Sequence, residues 1–275
     1  MKPPYFLFDI GASHTKIGVS PDGQKVEQTQ IYPTPQSFAD GLSKLNEKAK
    51  GMGDGKYGAA VGGIAGPLNK DKAMVTAAPN IPDWNNKPLA MELGQALGTK
   101  VYLENDTALV GLGEAVEGPG KSFNVVGYMT VSTGVNGVLV IDRKIAPNAR
   151  GYEIGNQIVD FDKTYDSDSN NFEDLVAGSQ FQRRFGSPAH EIHDPGVWAE
   201  EAKLVSVGLT NLILFWSPEI VIIGGSVSKS IPLDILIENT RTRLTIFAEL
   251  PLIKNAELGD FAGLWGGLHF AKSLS

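Results

Sequence analysis

An apolar run at the start of the chain, YFLFDI, ends on a carboxylate and is followed by a turn of small residues and then by an amine. The residues concerned are Asp9, Gly11, Ala12, Ser13 and Lys16. Small residues in a tight turn let phosphate oxygens approach the backbone N–H groups, while the hydroxyl and the amine add a donor and a positive charge. A carboxylate at a strand end can hold Mg²⁺ through water. The stretch predicts a phosphate site with Mg²⁺ near Asp9; a plain hairpin turn with a capping Asp is the alternative.

A second turn of the same type, STGVNG at residues 132–137, lies in the second half of the chain. Thr133 could offer a hydroxyl, and Gly134 a backbone N–H, to a terminal phosphate. An ordinary β-turn is the alternative. Two such turns at matching places in the two halves are what a nucleotide held between two lobes would require.

The stretch ENDTA places two polar side chains where a buried strand ends. Burying such groups is unfavourable unless they are hydrogen-bonded or used. Asn105 can donate to and accept from a sugar hydroxyl. Asp106 can take the proton of a hydroxyl as a phosphoryl group arrives. A helix N-cap formed by Asp106 is the competing interpretation.

Two further stretches could contact parts of a ligand. Glu153, between glycines in GYEIGN, could accept hydrogen bonds from adjacent ring hydroxyls. An ordinary surface turn would also carry such a residue. Gly224 and Gly225 follow the apolar run EIVII and would make room for a flat ligand at the carboxyl end of a strand, where the ligands of α/β sheets lie.

Other charged stretches are interpreted as surface. His190 and His193 lie in GSPAHEIHDPG without a third strong ligand region, which favours a loop over a metal cluster. The two arginines of SQFQRRF are expected on a solvated helix face. The acidic stretch at residues 160–174 is expected to be a surface loop.

The composition excludes several classes of protein. The 275 residues are 42% hydrophobic and 20% charged, which is ordinary for a globular protein. A net charge of −7 gives no basic footprint for nucleic acid or for an anionic membrane. No apolar stretch is long enough to span a bilayer, and no signal segment is recognised, so the cytoplasm is the expected location. The absence of cysteine excludes disulfides and thiolate metal sites.

The elements around these residues alternate between strands and helices. The turn after Asp9 leads into a second strand, and PDG turns the chain into a third. The glycine turn of a Rossmann or P-loop site would instead lead into a helix. Helices are predicted over residues 36–50, 89–98, 107–118, 197–216 and 261–273, and further strands over residues 57–66, 100–106, 124–146 and 219–223.

The two halves of the chain open in the same way. Each begins with a hairpin whose first turn carries small and hydroxyl residues and whose second turn carries Asp. This weak internal duplication predicts two similar α/β lobes that face each other across a cleft.

The order of these stretches resembles that of the ROK-family sugar kinases, within the actin, hexokinase and Hsp70-like ATPases. DIGASHTK is similar to the family's first phosphate motif, with Gly11-Ala12-Ser13 in place of the usual Gly-Gly-Thr, and VSTGVNGVLVIDRKI is similar to the second. GIAGPL, APNIPDW and ENDTALVGLGE resemble the segments on the sugar side. The family's Glu-Ile-Gly-His segment is matched by GYEIGN, and the segment after its zinc loop by FEDLVAG. The adenosine motif resembles SPEIVIIGG, and the closing helix resembles LGDFAGLWGG.

The resemblance implies an α/β fold of two actin-like (ribonuclease H-like) lobes around a central cleft. The N-terminal lobe would comprise residues 1–107 plus 262–275, and the C-terminal lobe residues 108–261. The implied activity is the phosphorylation of a hexose at its primary 6-hydroxyl with ATP and Mg²⁺. The resemblance does not decide whether the sugar is glucose, mannose or an N-acetylhexosamine. Polyphosphate is an alternative phosphoryl donor, and a homodimer is a possible assembly.

The resemblance also implies roles for single residues. Asp106 would be the base that takes the proton of the 6-hydroxyl, and Asp9 would support Mg²⁺ and the phosphates. The sugar would contact Asn80, Asn105, Glu153 and Asn156. The phosphates would contact Gly11, Ala12, Ser13, Lys16, Thr133 and Gly134. The adenosine would contact Gly224 and Gly225.

Two departures from the family pattern bear on activity. The family's His after Glu-Ile-Gly is Asn156 here, and its cysteine loop is replaced by DKTYDSDSNN, so no zinc site is expected and the loop is expected to be mobile. A catalytically impaired protein that binds sugar or nucleotide is therefore an alternative, and an ATP-hydrolysing actin relative that uses no sugar is another. No helix-turn-helix precedes the first strand, which disfavours the family's repressor branch.

Overall fold

The structure is a computed structural model that describes residues 2–165 and 168–274. The chain folds into two compact units. The first unit comprises residues 1–118, 144–151 and 258–275, and the second comprises residues 119–143 and 152–257. The lobe boundaries predicted from the sequence remain a prediction; they give residues 1–107 plus 262–275 to one lobe and residues 108–261 to the other.

Strands and helices alternate along the chain. The strands are β1 (Tyr5–Ile10), β2 (His14–Ser20), β3 (Glu27–Pro33), β4 (Ala59–Ile64), β5 (Val101–Asn105), β6 (Val125–Val131), β7 (Val135–Ile141), β8 (Lys144–Ile145), β9 (Ile220–Gly224) and β10 (Leu252–Asn255). The α-helices are α1 (Phe38–Lys50), α2 (Leu89–Leu97), α3 (Asp106–Val116), α4 (Phe172–Val176), α5 (Phe181–Phe185), α6 (Pro195–Trp216), α7 (Leu233–Arg243) and α8 (Ala262–Ser273).

The first unit is built on a sheet with the strand order β3-β2-β1-β4-β5. β1 is antiparallel to β2 and parallel to β4, and β4 is parallel to β5. β1 and β4 are buried along their whole length. Central strands that are covered on both faces read as continuous apolar runs, which explains YFLFDI.

Small residues let two helices of the first unit pack closely. A Cβ at Gly266 of α8 would lie 1.7 Å from the carbonyl oxygen of Leu109 in α3. A Cβ at Gly113 of α3 would lie 2.3 Å from the carbonyl oxygen of Ala262 in α8. The glycines are therefore required by the close antiparallel approach of α3 to α8, in which the start of α8 lies against the later part of α3.

The second unit repeats the strand plan of the first. Its strands lie in the order β10-β9-β6-β7, with β6 antiparallel to β7 and parallel to β9. The long helix α6 begins after Asp194, whose side chain accepts from the N–H of Gly196, and ends at Ser217 in a left-handed conformation. Phe172 packs so closely on α6 that a Cβ at Gly208 would lie 2.4 Å from its ring.

Most predicted elements are present, with ends that shift by a few residues. α7 and β10 are not among the elements predicted from the sequence. The expectation of a solvated face for both arginines of SQFQRRF is wrong for Arg184, because its side chain is only 16% exposed and pairs with a buried carboxylate. No helix among the described residues is long and apolar enough to cross a membrane.

Candidate active site

The first predicted phosphate stretch forms the hairpin of β1 and β2, in which Asp9 and Lys16 are cross-strand partners. Nζ of Lys16 donates to Oδ2 of Asp9 over 3.1 Å. Burial raises the pKa of Asp9, with Lys16 opposing the rise. Burial alone would lower the pKa of Lys16, but the charge of Asp9, with smaller contributions from Asp106 and Asp260, raises it. The hairpin thus holds a buried carboxyl group against a partly exposed amine.

The amino end of α8 closes on the Asp9 carboxylate. A Cβ at Gly263 would lie 2.8 Å from Oδ2 of Asp9 and 3.0 Å from its Cγ. Any larger residue at this position would displace the carboxylate. The N–H groups and the dipole of a helix N-terminus favour a negative charge nearby. Asp9 is therefore fixed by Lys16 on one side and by α8 on the other.

The turn after Asp9 is closed by its own hydrogen bonds. The N–H of Gly11 donates to the carbonyl oxygen of His14 over 3.1 Å, so this N–H is already engaged within the turn. Oγ1 of Thr34 donates to the carbonyl oxygen of Gly11 over 2.7 Å. Gly11 and Ala12 are half-buried, and Ser13 and His14 are exposed. The N–H of Gly11 is therefore engaged within the turn, while Ser13 faces solvent.

Asn105 and Asp106 lie at the junction of β5 and α3, where the sequence predicts them. Asn105, and not Asp106, is the N-cap, because its side chain accepts from the N–H of Ala108 over 3.1 Å. Oδ1 of Asp106 accepts from the N–H of Thr107 over 2.7 Å. A Cβ at Gly63 would lie 2.9 Å from Cα of Asp106. The Asp106 side chain is half-buried at the end of a buried strand.

The side chain of Asn105 has a second fixed contact. Its Nδ2 donates to the carbonyl oxygen of Gly66 over 3.2 Å. Gly66 has φ +106°, and a Cβ there would lie 2.6 Å from the carbonyl oxygen of Ala77. Both ends of the amide are thus held by backbone, which fixes the orientation of Asn105.

A buried acidic residue that the sequence reasoning missed lies beside Asn105. Glu104 forms an ion pair with Lys72, and its Oε1 accepts from the N–H of Asn105 over 3.0 Å. The pair borders a small recess that is also lined by Asn69 and Arg150. The signal available in the sequence was a charged residue, Glu104, inside an otherwise apolar strand.

Asn80 lies on an exposed turn of the long loop between β4 and α2. The loop is anchored at Trp84, which is buried and donates from Nε1 to the carbonyl oxygen of Pro35 over 3.0 Å. Asn85 accepts from the N–H of Ala78 over 2.7 Å. The loop around Asn80 is therefore ordered by its neighbours, while Asn80 itself faces solvent.

The second predicted phosphate turn joins β6 to β7 and is held by a separate segment. The N–H of Gly178 donates to the carbonyl oxygen of Ser132 over 2.7 Å, and the N–H of Ser179 donates to that of Thr133 over 3.2 Å. Oγ of Ser132 lies 3.0 Å from Oγ of Ser226. The side chain of Thr133 is exposed. The turn therefore presents a free face that carries a hydroxyl.

Two carboxylates lie close to this turn. Oε2 of Glu173, in the first turn of α4, accepts from the N–H of Val135 over 2.7 Å, and a Cβ at Gly134 would lie 2.8 Å from the same oxygen. Partial burial raises the pKa of Glu153, and the negative charge of Glu173 adds to the rise. Asn156 is exposed, and its N–H donates to the carbonyl oxygen of Glu153 over 3.1 Å. The structure thus groups Glu153 and Asn156 with a second acid, Glu173, which the sequence reasoning missed.

Gly224 and Gly225 lie where β9 ends, and both are required by close packing. A Cβ at Gly224 would lie 2.2 Å from Oη of Tyr128. Gly225 has φ +99°, and a Cβ there would lie 2.3 Å from the carbonyl oxygen of Val131. These glycines pack against β6, the strand that leads into the turn at residues 132–134.

The loop that replaces the cysteine segment is organised by a buried carboxylate. Asp160 accepts from the N–H groups of Thr164 and Tyr165 over 2.9 and 2.8 Å. At the other end of the loop, Asn171 caps α4 by accepting from the N–H of Asp174 over 2.8 Å. Residues 166 and 167 lie outside the described residues. In the part of the chain that the structure describes, no group of three or more acidic or His side chains is placed to hold a metal ion.

The chain is similar to known sugar kinases over nearly its whole length. It is 27% identical over 258 residues to the glucokinase of Thermotoga maritima, covering 81% of each chain. It is 26% identical over 300 residues to the N-acetyl-D-glucosamine kinase of Escherichia coli, covering 95% of this chain and 97% of the relative. A ROK-family glucokinase from Streptomyces griseus, solved in complex with glucose and AMPPNP, superposes with a TM-score of 0.82 at 25% identity, over 98% of this chain and 100% of the other.

The superposition confirms the predicted fold class of two actin-like α/β lobes. The sequence profile of the ROK family matches residues 5–273, which include both hairpins, both polar strand ends and the closing helix. A match of this extent confirms the resemblance first indicated by the order of the motifs, and the chain belongs to the ROK family.

Proposed function

We propose that this protein transfers the γ-phosphoryl group of ATP to the primary 6-hydroxyl of a hexose. The observation that carries the proposal is Asp106, a carboxylate at the junction of β5 and α3 with its Oδ1 fixed by the N–H of Thr107. The charged Lys16 lies close enough to interact with it electrostatically. Family membership and relatives named glucokinase and N-acetyl-D-glucosamine kinase support sugar phosphorylation.

In this reaction Asp106 accepts the proton of the 6-hydroxyl as the hydroxyl oxygen forms a bond to the γ-phosphorus. The bond between that phosphorus and the bridging oxygen breaks, and ADP leaves with the electron pair. Positioning and charge neutralisation supply most of the catalysis in phosphoryl transfer, and the base adds to it. The fixed backbone contacts of Asn105 and Asp106 are what such positioning needs.

The proposed sugar contacts are four polar residues, namely Asn80, Asn105, Glu153 and Asn156. We add Glu173 to this set, because its Oε2 would lie 3.3 Å from a Cβ at Gly155, which stands between Glu153 and Asn156 in the chain. Carboxylates and amides suit a ring of hydroxyl groups, since they accept and donate hydrogen bonds at fixed angles.

The proposed phosphate contacts are Gly11, Ala12, Ser13 and Lys16 in the first hairpin and Thr133 and Gly134 in the second, with Gly224 and Gly225 beside the adenosine. Mg²⁺, when bound, would neutralise phosphate charge and keep most of its own waters. Asp9 could contact such an ion through one of its water molecules. Its Oδ2 accepts from Lys16, while its Oδ1 is not used by that lysine. The relative solved with AMPPNP supports ATP as the donor.

Replacement of Asp106 tests the proposal. Asp106→Asn keeps the side-chain shape and removes the base, so turnover is expected to fall by about 10²- to 10⁴-fold. Sugar-dependent ADP release measures the effect, and circular dichroism checks the fold. Asp22→Asn is the matched control, because Asp22 lies on an exposed turn, where it accepts from the N–H of Gln24 over 2.8 Å. Normal turnover in the Asp106 variant would refute its role.

A second candidate function is a sugar- or nucleotide-binding protein with impaired catalysis. It is favoured by Asn156, which stands where the family has His, and by the engagement of the Gly11 N–H within its own turn. A panel of glucose, mannose and N-acetylhexosamines, run with ATP and then with polyphosphate, separates the two functions. Sugar binding by calorimetry without ADP release on any sugar would favour the binding protein.

A further inference from the structure

The second unit contains a buried ion pair that the proposed function does not use. Nη1 of Arg184 on α5 donates to Oε2 of Glu201 on α6 over 2.9 Å, and Glu201 is fully buried. The guanidinium group lies over the ring of Phe185, 4.7 Å from its centroid. Such a pair is a weak source of stability, because the desolvation of two charges offsets their attraction. Its presence therefore calls for another explanation.

The same guanidinium group anchors α4. Nη1 of Arg184 also donates to the carbonyl oxygen of Leu175, near the end of that helix. The last carbonyls of a helix lack partners within it and need donors from elsewhere. The amino end of α4 carries Glu173, which accepts from the N–H of Val135. Arg184 thus ties α6 to a short helix that touches the start of β7.

The residues after α4 hold the turn at residues 132–134 in shape. The N–H groups of Gly178 and Ser179 donate to the two carbonyl oxygens of Ser132 and Thr133. A Cβ at Gly178 would lie 2.9 Å from the carbonyl oxygen of Ser132, so the two backbones are in close contact. The position of these donors follows from where α4 ends, and that end is where Arg184 binds.

We propose that Arg184 and Glu201 are positioning residues that fix the end of α4 and, through it, the shape of the turn at residues 132–134. The role of that turn in binding nucleotide phosphate rests on the proposed function. Glu201 is a suitable fixed point because it is fully buried on the long helix α6. In the described residues its Oε1 has no hydrogen-bond partner, so Arg184 is the group that holds the carboxylate.

The electrostatics of Glu201 support this assignment. Burial raises the pKa of Glu201 to about 7, with Arg184 opposing the rise and the Glu200 carboxylate adding to it. Arg184 thus favours ionisation of a carboxyl group that burial would otherwise keep protonated. The opposition of these two effects makes the pair a weak source of stability, which fits a positioning role. An apolar pair of similar volume would fill the same space without the charges.

The test uses a double variant, because Arg184→Met alone leaves an unpaired buried carboxylate and threatens the fold. Arg184→Met with Glu201→Met removes both charges and keeps the volume, so the thermal midpoint is expected to stay close to that of the wild type. The carbonyl of Leu175 nevertheless loses its donor. The amides of Gly178 and Ser179 are expected to exchange hydrogen about tenfold faster. The dissociation constant for AMPPNP is expected to rise about fivefold, as for the loss of one well-placed hydrogen bond.

The matched control removes an exposed pair of the same type. Arg241 and Glu238 lie 3.7 Å apart on α7 and are both mostly exposed, so their double replacement by Met is expected to change neither exchange nor affinity. If the amides of residues 178 and 179 exchanged hydrogen in the Arg184 and Glu201 double variant as slowly as in the wild type, the proposal would be overturned, even if AMPPNP affinity fell. If the wild type binds no AMPPNP, the proposed function fails, and the exchange data alone decide the positioning role.

Discussion

The two hairpin turns, at residues 10–14 in the first unit and 131–135 in the second, are built from similar residues but are held in different ways. The first turn is closed by its own hydrogen bond from Gly11 to His14 and by Thr34, which follows the neighbouring strand. The second turn also closes with its own hydrogen bond, from the N–H of Ser132 to the carbonyl oxygen of Gly134 over 2.9 Å, and it is held in addition by Gly178 and Ser179, which lie more than forty residues further along the chain. The same strand plan therefore yields two self-closed turns, one supported next to its own sheet and one supported by a distant segment.

The charges beside the two turns differ as well. The first turn follows Asp9, whose carboxylate is paired with Lys16. The second turn lies against Glu173, which raises the pKa of Glu153. The first hairpin thus pairs a negative charge with a positive one, while the second concentrates negative charge. Paired charges suit contacts with a phosphate and its cation, and neighbouring carboxylates suit the hydroxyl groups of a sugar. In the second hairpin the proposed sugar contacts are therefore the carboxylates of Glu153 and Glu173, while the proposed phosphate contacts are Thr133 and Gly134 of the turn itself.

The largest expected effect comes from disturbing the support of the second turn. Gly225→Ala places a Cβ 2.3 Å from the carbonyl oxygen of Val131 at φ +99°. We expect the free energy of unfolding to fall by about 3 kcal/mol or more, measured by urea denaturation. Gly186→Ala is the control, since Gly186 has φ +74° with nothing within 4 Å of its Cβ, and it should lose about 1 kcal/mol. Equal losses in both variants would show that the contact with Val131 does not matter.

A second effect of similar size depends on pH and concerns Glu201, which is proposed to position the segment that holds that turn. The pKa of Glu201 is raised from 4.5 to about 7, so the folded protein holds a proton that the unfolded chain loses as the pH rises from 4.5 to 7. Stability contributed by this group is therefore lost as the pH rises through that range, by on the order of 3 kcal/mol at most.

Glu201→Gln removes this titration. The variant is expected to lose less stability than the wild type between pH 5 and pH 8, as measured by the urea midpoint at each pH. Glu238→Gln serves as the control, because Glu238 is mostly exposed on α7 and pairs with the exposed Arg241. Parallel stability curves for the wild type and Glu201→Gln would contradict the buried, titrating carboxylate.

The smallest expected effect concerns the ion pair of Asp9 and Lys16 beside the first turn. Lys16→Met removes the partner of the buried Asp9 carboxylate, so unfolding stability at neutral pH is expected to fall by about 2 kcal/mol. The partial exposure of Lys16 keeps the loss below that of a fully buried pair. Lys203→Met removes an exposed pair with Glu200 and should change stability by less than about 0.5 kcal/mol. A loss of the same small size in both variants would mean that Asp9 does not depend on Lys16.

The hairpins and the polar strand ends could be predicted because their signals are local. An apolar run that ends on Asp9, a turn of small residues and a polar pair at Asn105 and Asp106 are visible within a few residues of sequence. The assignment of the cap was less accessible, because either Asn105 or Asp106 could cap α3 by propensity. The structure selects Asn105 through its contact with Ala108.

The parts that the sequence did not predict depend on distant contacts. Arg184 looks like a surface residue because its partner Glu201 lies one helix further along the chain. Glu173 lies in a motif noted only by resemblance, and its place beside Gly134 follows from the packing of α4. α7 carries a mixed polar pattern, LDILIENTRTR, in which few residues are fully buried. Such residues acquire their roles from tertiary packing, which periodicity does not encode.

The central claim is tested most directly by following sugar and nucleotide together in one reaction. Phosphorus NMR of the wild-type protein with ATP, Mg²⁺ and each hexose should show a sugar 6-phosphate formed in a one-to-one ratio with ADP on at least one sugar. Asp106→Asn should form it at least about a hundredfold more slowly. ADP that appears at the same rate without sugar, or a sugar that binds without any 6-phosphate being formed, would contradict the account.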